Sequence, residues 1–391
     1  MSPVWALGSG GSGQLGIGRL EEKLGVPTPC LYDQDPSSEP ISLVGGGNHS
    51  LLLFEDGSLY AAGENKDGAC GNAHLATLII FHKLDIVDAA NQWVGPIKFI
   101  AATWAASIVV TRSNRTFVFG EGQKGELGLG PSITKAMKPT EIKDFPPPGR
   151  IVHRLRASMG HVIALLNDSS AWGWGTSRHG QLGQEVSKSS EGCIWAPERL
   201  VGLSVVPFSV EDVVCGNGFS YLLGTSSSEE GYRRHGIAFG TDKNKVIAAA
   251  PNPLPGHEMW SETSSPCQLT CRSTWSSVYL HNSEGGTVIC WGKDARLPLI
   301  QKGFPSARSI VTGSEHGAAK LLDGRVIAWG WNEHQNCGKG PGPAKSYTFN
   351  VLDTSKDSFP LGCGCATTFL VKAKSEEGIS PDWTERPHDI G

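Results

Sequence analysis

Three histidines occupy the same place in a recurring turn of this sequence: His49, His161 and His316. An imidazole can act as a general base, ligate a metal or hold a turn by hydrogen bonds. Catalysis would require a nucleophile or carboxylate that converges on the imidazole, and no Ser-His-Asp order accompanies these residues. We therefore expect each histidine to hydrogen-bond a neighbouring turn, with a place at the mouth of a central channel as the alternative.

Glycine and cysteine spacing raises two further chemistries. The stretch GSGGSGQLGIG, residues 8–18, approaches the glycine pattern of a dinucleotide site, but no βαβ unit follows it. Cys267 with Cys271, and Cys363 with Cys365, are close pairs that lack a second pair at zinc-finger spacing. We expect reduced, mostly buried thiols, no catalytic residue, no metal site and no cofactor.

Composition narrows the class of protein. The 391 residues include 50 Gly and 24 Pro but only 4 Met, which favours short strands joined by tight turns. Lys and Arg total 34 against 38 Asp and Glu, so no bulk positive field attracts nucleic acid or anionic lipid. With no signal-peptide pattern at the start, the expectation is a cytoplasmic protein, with the nucleus as a second compartment, that binds neither membrane nor nucleic acid directly.

The elements that position these residues are repeated. A turn and an apolar run form the first half of each unit, and an aromatic-rich strand that ends in a closing glycine forms the second half. Residues such as Asp56-Gly57 and Asp323-Gly324 lie between the halves and favour a hairpin turn. The closing glycines are Gly8, Gly63, Gly120, Gly175, Gly240, Gly292 and Gly330.

Seven first halves and seven second halves are present. The second half that starts at Val4 has no first half before it, and the first half that starts at Cys363 has no second half after it. Pairing Val4–Leu7 with the strand near Thr368–Val371 would close a ring and remove the exposed sheet edges. The prediction is an all-β, seven-bladed β-propeller over residues 1–374, followed by a flexible acidic tail over residues 375–391.

Large aromatic residues are predicted to fill the wedges between blades. They are assigned to one repeat position, immediately before the closing glycine: Trp5, Phe119, Trp174, Phe239, Trp291 and Trp329. Structural packing accounts for this series better than an aromatic binding site.

The unit G-x-x-H-S/T…D-G…W-G-x-N-x-x-G-Q-L-G resembles the repeat of the regulator of chromosome condensation family, which implies a seven-bladed propeller. The stretch VWALGSGGSGQLGIG with GGGNHSLLL is also similar to the fungal alpha-tubulin suppressor proteins of that family. This likeness implies a non-catalytic adaptor that forms a heterodimer with a small CSL-type zinc protein, an electron carrier. The implied pathways are diphthamide synthesis on elongation factor two and Elongator-dependent modification of tRNA wobble uridines, with Elongator contacted indirectly.

The alternative is a guanine-nucleotide exchange factor or regulator of a small Ran-like GTPase. The family's founding member exchanges nucleotide on Ran with acidic and histidine residues in turns before the first strand of several blades. The corresponding pairs here contain one acid, Glu315. They are aligned as Asn48-His49, Ala105-Ala106, Gly160-His161, Gly218-Phe219, Thr274-Trp275, Glu315-His316 and Ala366-Thr367. An enzyme is the third option, for which no acid-base cluster is found.

The G-x-x-H turns and the turns after the closing glycines should lie on one side of the ring, called the turn face below. Trp104 and Trp331 are large aromatic residues in turns that otherwise carry mostly polar residues. They are candidate anchors for a partner, with packing under adjacent loops as the alternative. The full set of candidate partner-binding residues on this face is Trp104, Arg178, His179, Asp294, Arg296, Glu315, His316, Trp331, Asn332, Glu333 and His334, and Lys243 is expected on the same face.

Overall fold

The computed structural model describes residues 4–72, 74–183, 192–200, 208–228, 231–251, 254, 269–339 and 345–372. The proposed tail, residues 375–391, and Cys267 lie outside this part of the chain. Among the residues described, no helix is long and apolar enough to cross a membrane.

Antiparallel strands make up nearly all of the regular structure. The first eleven are β1 (Val4–Gly10), β2 (Glu21–Pro29), β3 (Pro40–Gly45), β4 (His49–Phe54), β5 (Leu59–Glu64), β6 (Thr77–Leu84), β7 (Ile97–Ala102), β8 (Ala106–Thr111), β9 (Thr116–Glu121), β10 (Lys135–Glu141) and β11 (Val152–Ala157). The next nine are β12 (His161–Leu166), β13 (Ala171–Thr176), β14 (Cys193–Arg199), β15 (Ser209–Cys215), β16 (Phe219–Ser228), β17 (Gly231–Gly240), β18 (Leu269–Ser273), β19 (Ser277–Asn282) and β20 (Val288–Gly292). The last six are β21 (Ala307–Thr312), β22 (His316–Leu321), β23 (Val326–Trp331), β24 (Lys345–Asp353), β25 (Ser358–Cys363) and β26 (Thr367–Lys372).

These strands form seven sheets, and the predicted seven-bladed propeller is confirmed. Within the described residues, five sheets have four strands, and β15-β16-β17 and β18-β19-β20 have three. After β20, a 3₁₀ turn (Asp294–Arg296) and one helical turn, α1 (Pro298–Gln301), take the place of an outer strand. Contacts between neighbouring sheets run through the innermost strands β25, β3, β7, β11, β15, β18 and β21 in ring order.

The ring closes between its two ends as predicted. β1 pairs with β26 in the register Val4 to Val371 and Leu7 to Thr368. β1 also pairs with β2 on its other side, so the first and last repeats share one sheet, β2-β1-β26-β25. Neither edge of β1 or β26 is therefore left open in that sheet.

Each closing glycine pairs with the first residue of the preceding strand of its blade, as in His161 with Gly175. Gly175 has a φ of +99°, and a Cβ there would lie 2.5 Å from the Gly160 carbonyl oxygen. Only glycine accepts both the left-handed backbone and this close approach. The seven closing glycines all have positive φ, which explains why glycine ends every second half.

Two sequence assignments are wrong by a small shift in register. Ser277 pairs with Gly292, so Ser276-Ser277 and not Thr274-Trp275 is the fifth of the seven turn pairs. Trp174 stands immediately before its closing glycine and pairs with Val162, and Leu7 pairs with Thr368 at the equivalent position. Leu7 and not Trp5 is therefore the member of the series that fills the wedges between blades. Leu7, Phe119, Trp174, Trp291 and Trp329 are buried in the core.

Hairpin connectivity places the two sets of turns at opposite ends of the blades. The second strand of each blade starts at the G-x-x-H turn and the third returns to the same end, since His49 pairs with Gly63 and His316 with Gly330. The turn face predicted from the sequence is thus a real surface. The opposite side carries the hairpin turns, such as Asp56-Gly57 and Asp323-Gly324, and is called the hairpin face.

Candidate functional site

The repeated histidines join neighbouring blades. His49 Nε2 lies 3.0 Å from Ser107 Oγ, His161 Nε2 lies 3.0 Å from Ser220 Oγ, and His316 Nε2 lies 2.9 Å from Thr368 Oγ1. Each hydroxyl belongs to the next blade in the ring. The same hydroxyls donate to carbonyl oxygens of the glycine-rich turns, at Ala69, Gln181 and Asn336. The imidazoles therefore hold turns together, as expected.

These hydrogen bonds fix the protonation of the rings. Because Ser220 donates its proton to Gln181, its oxygen accepts from His161, which assigns the proton to Nε2. Burial lowers the pKa of His49, His161 and His316 to about 4, so all three are neutral near pH 7. The sequence predicts His316 as a surface contact for a partner; it is fully buried, and that prediction is wrong.

The exposed centre of the turn face is aromatic. Trp104 and Trp275 have ring centroids 6.0 Å apart at an angle of 42°, although their blades are third and sixth in the ring when the blade of β1 is the first. Trp104 is 44% exposed, and Met159 beside it is 38% exposed. We call Trp104, Met159 and Trp275 the indole patch. It spans the mouth of the central channel, whose wall includes all three residues.

The indole patch rests on a repeated backbone turn. In each blade the first residue of the turn donates its N–H to the carbonyl of the fourth, as from Thr103 to Ala106 and from Thr274 to Ser277. Trp104 and Trp275 both occupy the second position of this turn. That position also links blades, because Gly47 donates to the Trp104 carbonyl and the Trp104 N–H donates to Met159. The rings are thus carried on a backbone that neighbouring blades hold in place.

Charged groups border the indole patch on one side. Trp275 donates its N–H to the Ser314 carbonyl, and the next residue, Glu315, forms a 3.1 Å ion pair with Lys293. Both partners of this pair are more than one-third exposed. Arg296 is exposed on the adjacent 3₁₀ turn. Glu315 therefore remains a candidate contact next to the aromatic surface, and Arg296 remains an exposed candidate in the turn that follows Gly292.

The sequence predicts Asp294 as a surface contact for a partner, and that prediction is wrong. Its carboxylate is buried and accepts hydrogen bonds from Tyr279 Oη at 2.9 Å and Thr274 Oγ1 at 3.1 Å. Tyr279 Oη in turn accepts from Trp329 Nε1 of the next blade at 3.0 Å. Burial raises the pKa of Asp294. This residue joins two blades and is removed from the set of surface contacts.

Trp331 lies on the third strand of its blade, away from the inner turns that carry Trp104. Its half-buried ring packs against the His334 ring with centroids 5.2 Å apart. Asn332 accepts from the Cys337 N–H at 2.6 Å and shapes the turn, and His334 reaches the Glu22 carbonyl of the neighbouring blade. Glu333 is exposed. Trp104 is thus partnered by Trp275, which sequence reasoning missed, and Trp331 forms a separate outer group.

The remaining candidates are exposed residues of the turns after Gly175 and Gly240. Arg178 Nε lies 3.2 Å from His179 Nε2, and both side chains are exposed. Lys243 is also exposed. Within the described part of the chain, no group of three or more His, Cys, Asp or Glu side chains is arranged to hold a metal ion. The described thiols are unpaired, and burial raises the pKa of Cys363 to about 12, which leaves it protonated.

Comparison with known proteins agrees with this geometry. A profile of the regulator of chromosome condensation (RCC1) repeat matches residues 168–223. An RCC1 repeat-containing protein of Schizosaccharomyces pombe is 30% identical over 94% of this chain and 97% of its own length. A secretion-regulating guanine nucleotide exchange factor of Mus musculus is 25% identical over 86% of this chain and 76% of its own.

The crystal structure of Prp20p from Saccharomyces cerevisiae superposes with a TM-score of 0.71 over 96% of this chain and 93% of that one, at 17% identity, which shows a shared fold. The repeat, the ring closure and the full-length match to the fission-yeast protein agree. This chain belongs to the regulator of chromosome condensation (RCC1) repeat family.

Proposed function

We propose that this propeller is a non-catalytic adaptor that binds a partner protein on its turn face. The observation that carries the proposal is the indole patch, in which Trp104 is 44% exposed on a turn bonded to both neighbouring blades. Rigid, exposed aromatic residues bordered by charges are favoured at the centre of protein interfaces. The ring needs no rearrangement to present them, so little ordering entropy opposes binding.

The proposed partner is the small CSL-type zinc protein, with which the chain would form a heterodimer. This identification comes from the likeness of the first repeats to the fungal alpha-tubulin suppressor proteins. In this role the propeller would cover part of the partner's surface and control access to its electron-carrying metal. Diphthamide synthesis on elongation factor two and Elongator-dependent wobble-uridine modification are the proposed pathways, in the cytoplasm with the nucleus as a second compartment.

A regulator of a small Ran-like GTPase is the second candidate. One relative of this chain is named as a guanine nucleotide exchange factor, and Prp20p has been characterised for its binding to Gsp1p and histones. Against exchange stands the state of the repeated histidines. His49, His161 and His316 are buried and bonded to hydroxyls of the next blade, so none of them is available to a bound GTPase.

Two assays on the purified full chain separate these candidates. Calorimetric titration with the zinc-loaded CSL protein should give a one-to-one complex, and release of labelled GDP from a Ran-like GTPase should be no faster with the propeller than without it. Clear acceleration of GDP release, with no complex in the titration, would replace the adaptor with the exchange factor.

A further inference from the structure

An exposed tryptophan borders a small cleft on the hairpin face, which we call the Trp93 cleft. The cleft has a volume of about 270 Å³ and lies between the hairpin turn at Asp56-Gly57 and residues 93–97. Among the large apolar residues that the structure describes, Trp93 is the most exposed, at 63%. The two walls are joined, because Ile97 donates its N–H to the Gly57 carbonyl at 2.9 Å. Small-molecule sites have roughly 300–1,000 Å³, so this cleft suits one long side chain better than a whole small molecule.

Trp93 is carried on a short hairpin of its own, between β6 and β7. Val87 and Trp93 form an antiparallel bridge across this hairpin. At its tip the Asp88 carboxylate accepts two backbone N–H groups of the turn, both at 3.0 Å. Arg115, next to β9, lies 3.3 Å from the same carboxylate. The indole is therefore exposed on a backbone that is tied to the following blade, and binding there needs little ordering of the chain.

Negative charge surrounds the Trp93 cleft. Asp56 and Asp85 line it, and both are exposed. Tyr60 follows the lining residue Leu59 in the chain. Burial raises the pKa of the Tyr60 phenol, and four nearby carboxylates add to this shift: Asp33, Asp56, Asp35 and Asp85. These carboxylates thus act together on one part of the hairpin face.

Cations balance only part of this charge. The His82 ring lies 3.1 Å from the Asp33 carboxylate. Lys83 lines the cleft, but neither it nor Asp85 forms an ion pair with another described residue. Arg112 is bonded to the backbone carbonyl of Glu55 and not to a carboxylate. Excess negative charge therefore remains at the cleft beside the exposed indole.

We propose that the Trp93 cleft binds an arginine side chain in a basic segment of a partner protein. The guanidinium stacks on the indole face and pairs with the Asp56 and Asp85 carboxylates that border it. An acidic side chain would be repelled by these carboxylates, and an apolar one would leave them without a partner. Lysine fits less well, because its compact ammonium is strongly hydrated and does not stack as a planar group. The site is on the face opposite the indole patch and does not depend on the proposed heterodimer.

Calorimetric titration of the full chain with the peptide acetyl-Gly-Arg-Gly-Arg-Gly-amide, at about 0.05 M salt, tests the proposal. We expect one saturable site with a dissociation constant of about 0.1–1 mM that weakens as salt increases. The same peptide with citrulline in place of arginine keeps the shape but loses the charge, and should bind at least about tenfold more weakly.

Variants place the binding at the cleft. Trp93→Ala/Asp85→Asn removes the stacking surface and one carboxylate, and should weaken binding of the arginine peptide about tenfold. The matched control Trp104→Ala/Glu333→Gln removes an exposed indole and an exposed carboxylate from the turn face, and should stay within about twofold of the parent. Thermal melting checks the fold of each variant, and the single change Asp85→Asn, at an exposed position, should still weaken binding by about twofold or more.

Three results would overturn the proposal. The first is the absence of saturable binding by the parent chain, and the second is equal binding of the arginine and citrulline peptides or of the cleft variant and its control. The third is self-association of the parent chain that Trp93→Ala abolishes, without peptide binding, because the cleft would then belong to a contact with a second copy. None of these results bears on the turn face, so the proposed adaptor function is tested separately.

Discussion

Trp104 and Trp275 lie in blades that are separated by two others, yet their ring centroids are 6.0 Å apart across the mouth of the central channel. Both occupy the second position of the turn that opens the second strand of each blade. The pair is therefore a product of the closed ring, since only the propeller brings residues 171 positions apart to one mouth.

Removing one ring of this pair should weaken partner binding. Trp104→Ala deletes an exposed aromatic anchor, and truncation of such a residue costs about 2 kcal/mol or more, or roughly thirtyfold in the dissociation constant. Trp93→Ala is the matched control, because Trp93 is 63% exposed and lines a cleft with Asp56 and Gly57 on the hairpin face. Titration with the CSL-type zinc protein should show little change for the control. Equal binding by Trp104→Ala and the parent would remove the indole patch from the interface.

Changes in the outer group on the turn face, around Trp331, should have a second and smaller effect on partner binding. Trp331→Ala and Glu333→Lys should each weaken the heterodimer by about threefold to tenfold, because Glu333 is exposed and Trp331 is half-buried beside it. Deletion after Lys374 should have a smaller effect than either change, since the proposed anchors all lie on the turn face. Dissociation constants in the reverse order would move the interface toward the tail.

Ring closure should be a strong determinant of stability. Deletion of residues 1–10 removes β1 and exposes the facing edges of both β2 and β26. We expect the melting temperature to fall by about ten degrees or more, with aggregation on heating. Differential scanning calorimetry measures this directly. An unchanged melting temperature would mean that the β1 to β26 pairing does not hold the ring together.

Glycine at the end of each second half should be required for two separable reasons. Gly175→Ala forces a positive φ on alanine and drives its Cβ toward the Gly160 carbonyl, so a loss of about 3 kcal/mol is expected. Gly183→Ala provides the control, because Gly183 has a φ of +94° but, among the residues that the structure describes, no atom within 4 Å of the point that a Cβ would occupy. Its loss should be about 1 kcal/mol in urea denaturation. Equal losses at the two sites would show that the close approach carries no cost.

Buried histidines predict a loss of stability in mild acid. His161 has a folded-state pKa of about 4, below the unfolded value of about 6.5, so the unfolded chain binds more protons between these values. Stability is complete above about pH 6.5 and declines as the pH falls toward 4. At pH 5 this one group should cost about 1–2 kcal/mol relative to pH 7.

Urea midpoints at pH 7 and pH 5 test this dependence. His161→Gln should reduce the difference between the two midpoints, whereas His74→Gln, at an exposed position, should leave it unchanged. A difference that is the same in the parent and in His161→Gln would show that His161 does not titrate on unfolding.

The propeller architecture could be predicted from the sequence because the repeated halves show which strands pair with each other. Unpaired half-units at Val4 and Cys363 predicted the closure that β1 and β26 form. Fourteen positions separate His49 from Gly63 and His316 from Gly330, whereas fifteen separate Ser277 from Gly292. Trp104 stands sixteen positions before Gly120, but Trp275 stands seventeen before Gly292, so the extra residue in this unit hid the shared repeat position of the two tryptophans.

Side-chain direction in the turns was not predictable from the pattern. Asp294 and Arg296 are two residues apart on one 3₁₀ turn, yet the carboxylate is buried under Tyr279 and the guanidinium is exposed. His316 likewise turns inward to Thr368 while Glu315 stays at the surface. Turns lack the alternation that assigns strand residues to faces, so burial there depends on the neighbouring blade.

Hydrogen-deuterium exchange of the propeller with and without the CSL-type zinc protein tests the central claim most directly, because it reports which face the partner covers. Our account predicts slower exchange in the turns 103–106, 158–161 and 274–277 of the turn face, with no change in the hairpin turns 55–58 and 112–115. Protection confined to those hairpin turns would contradict it.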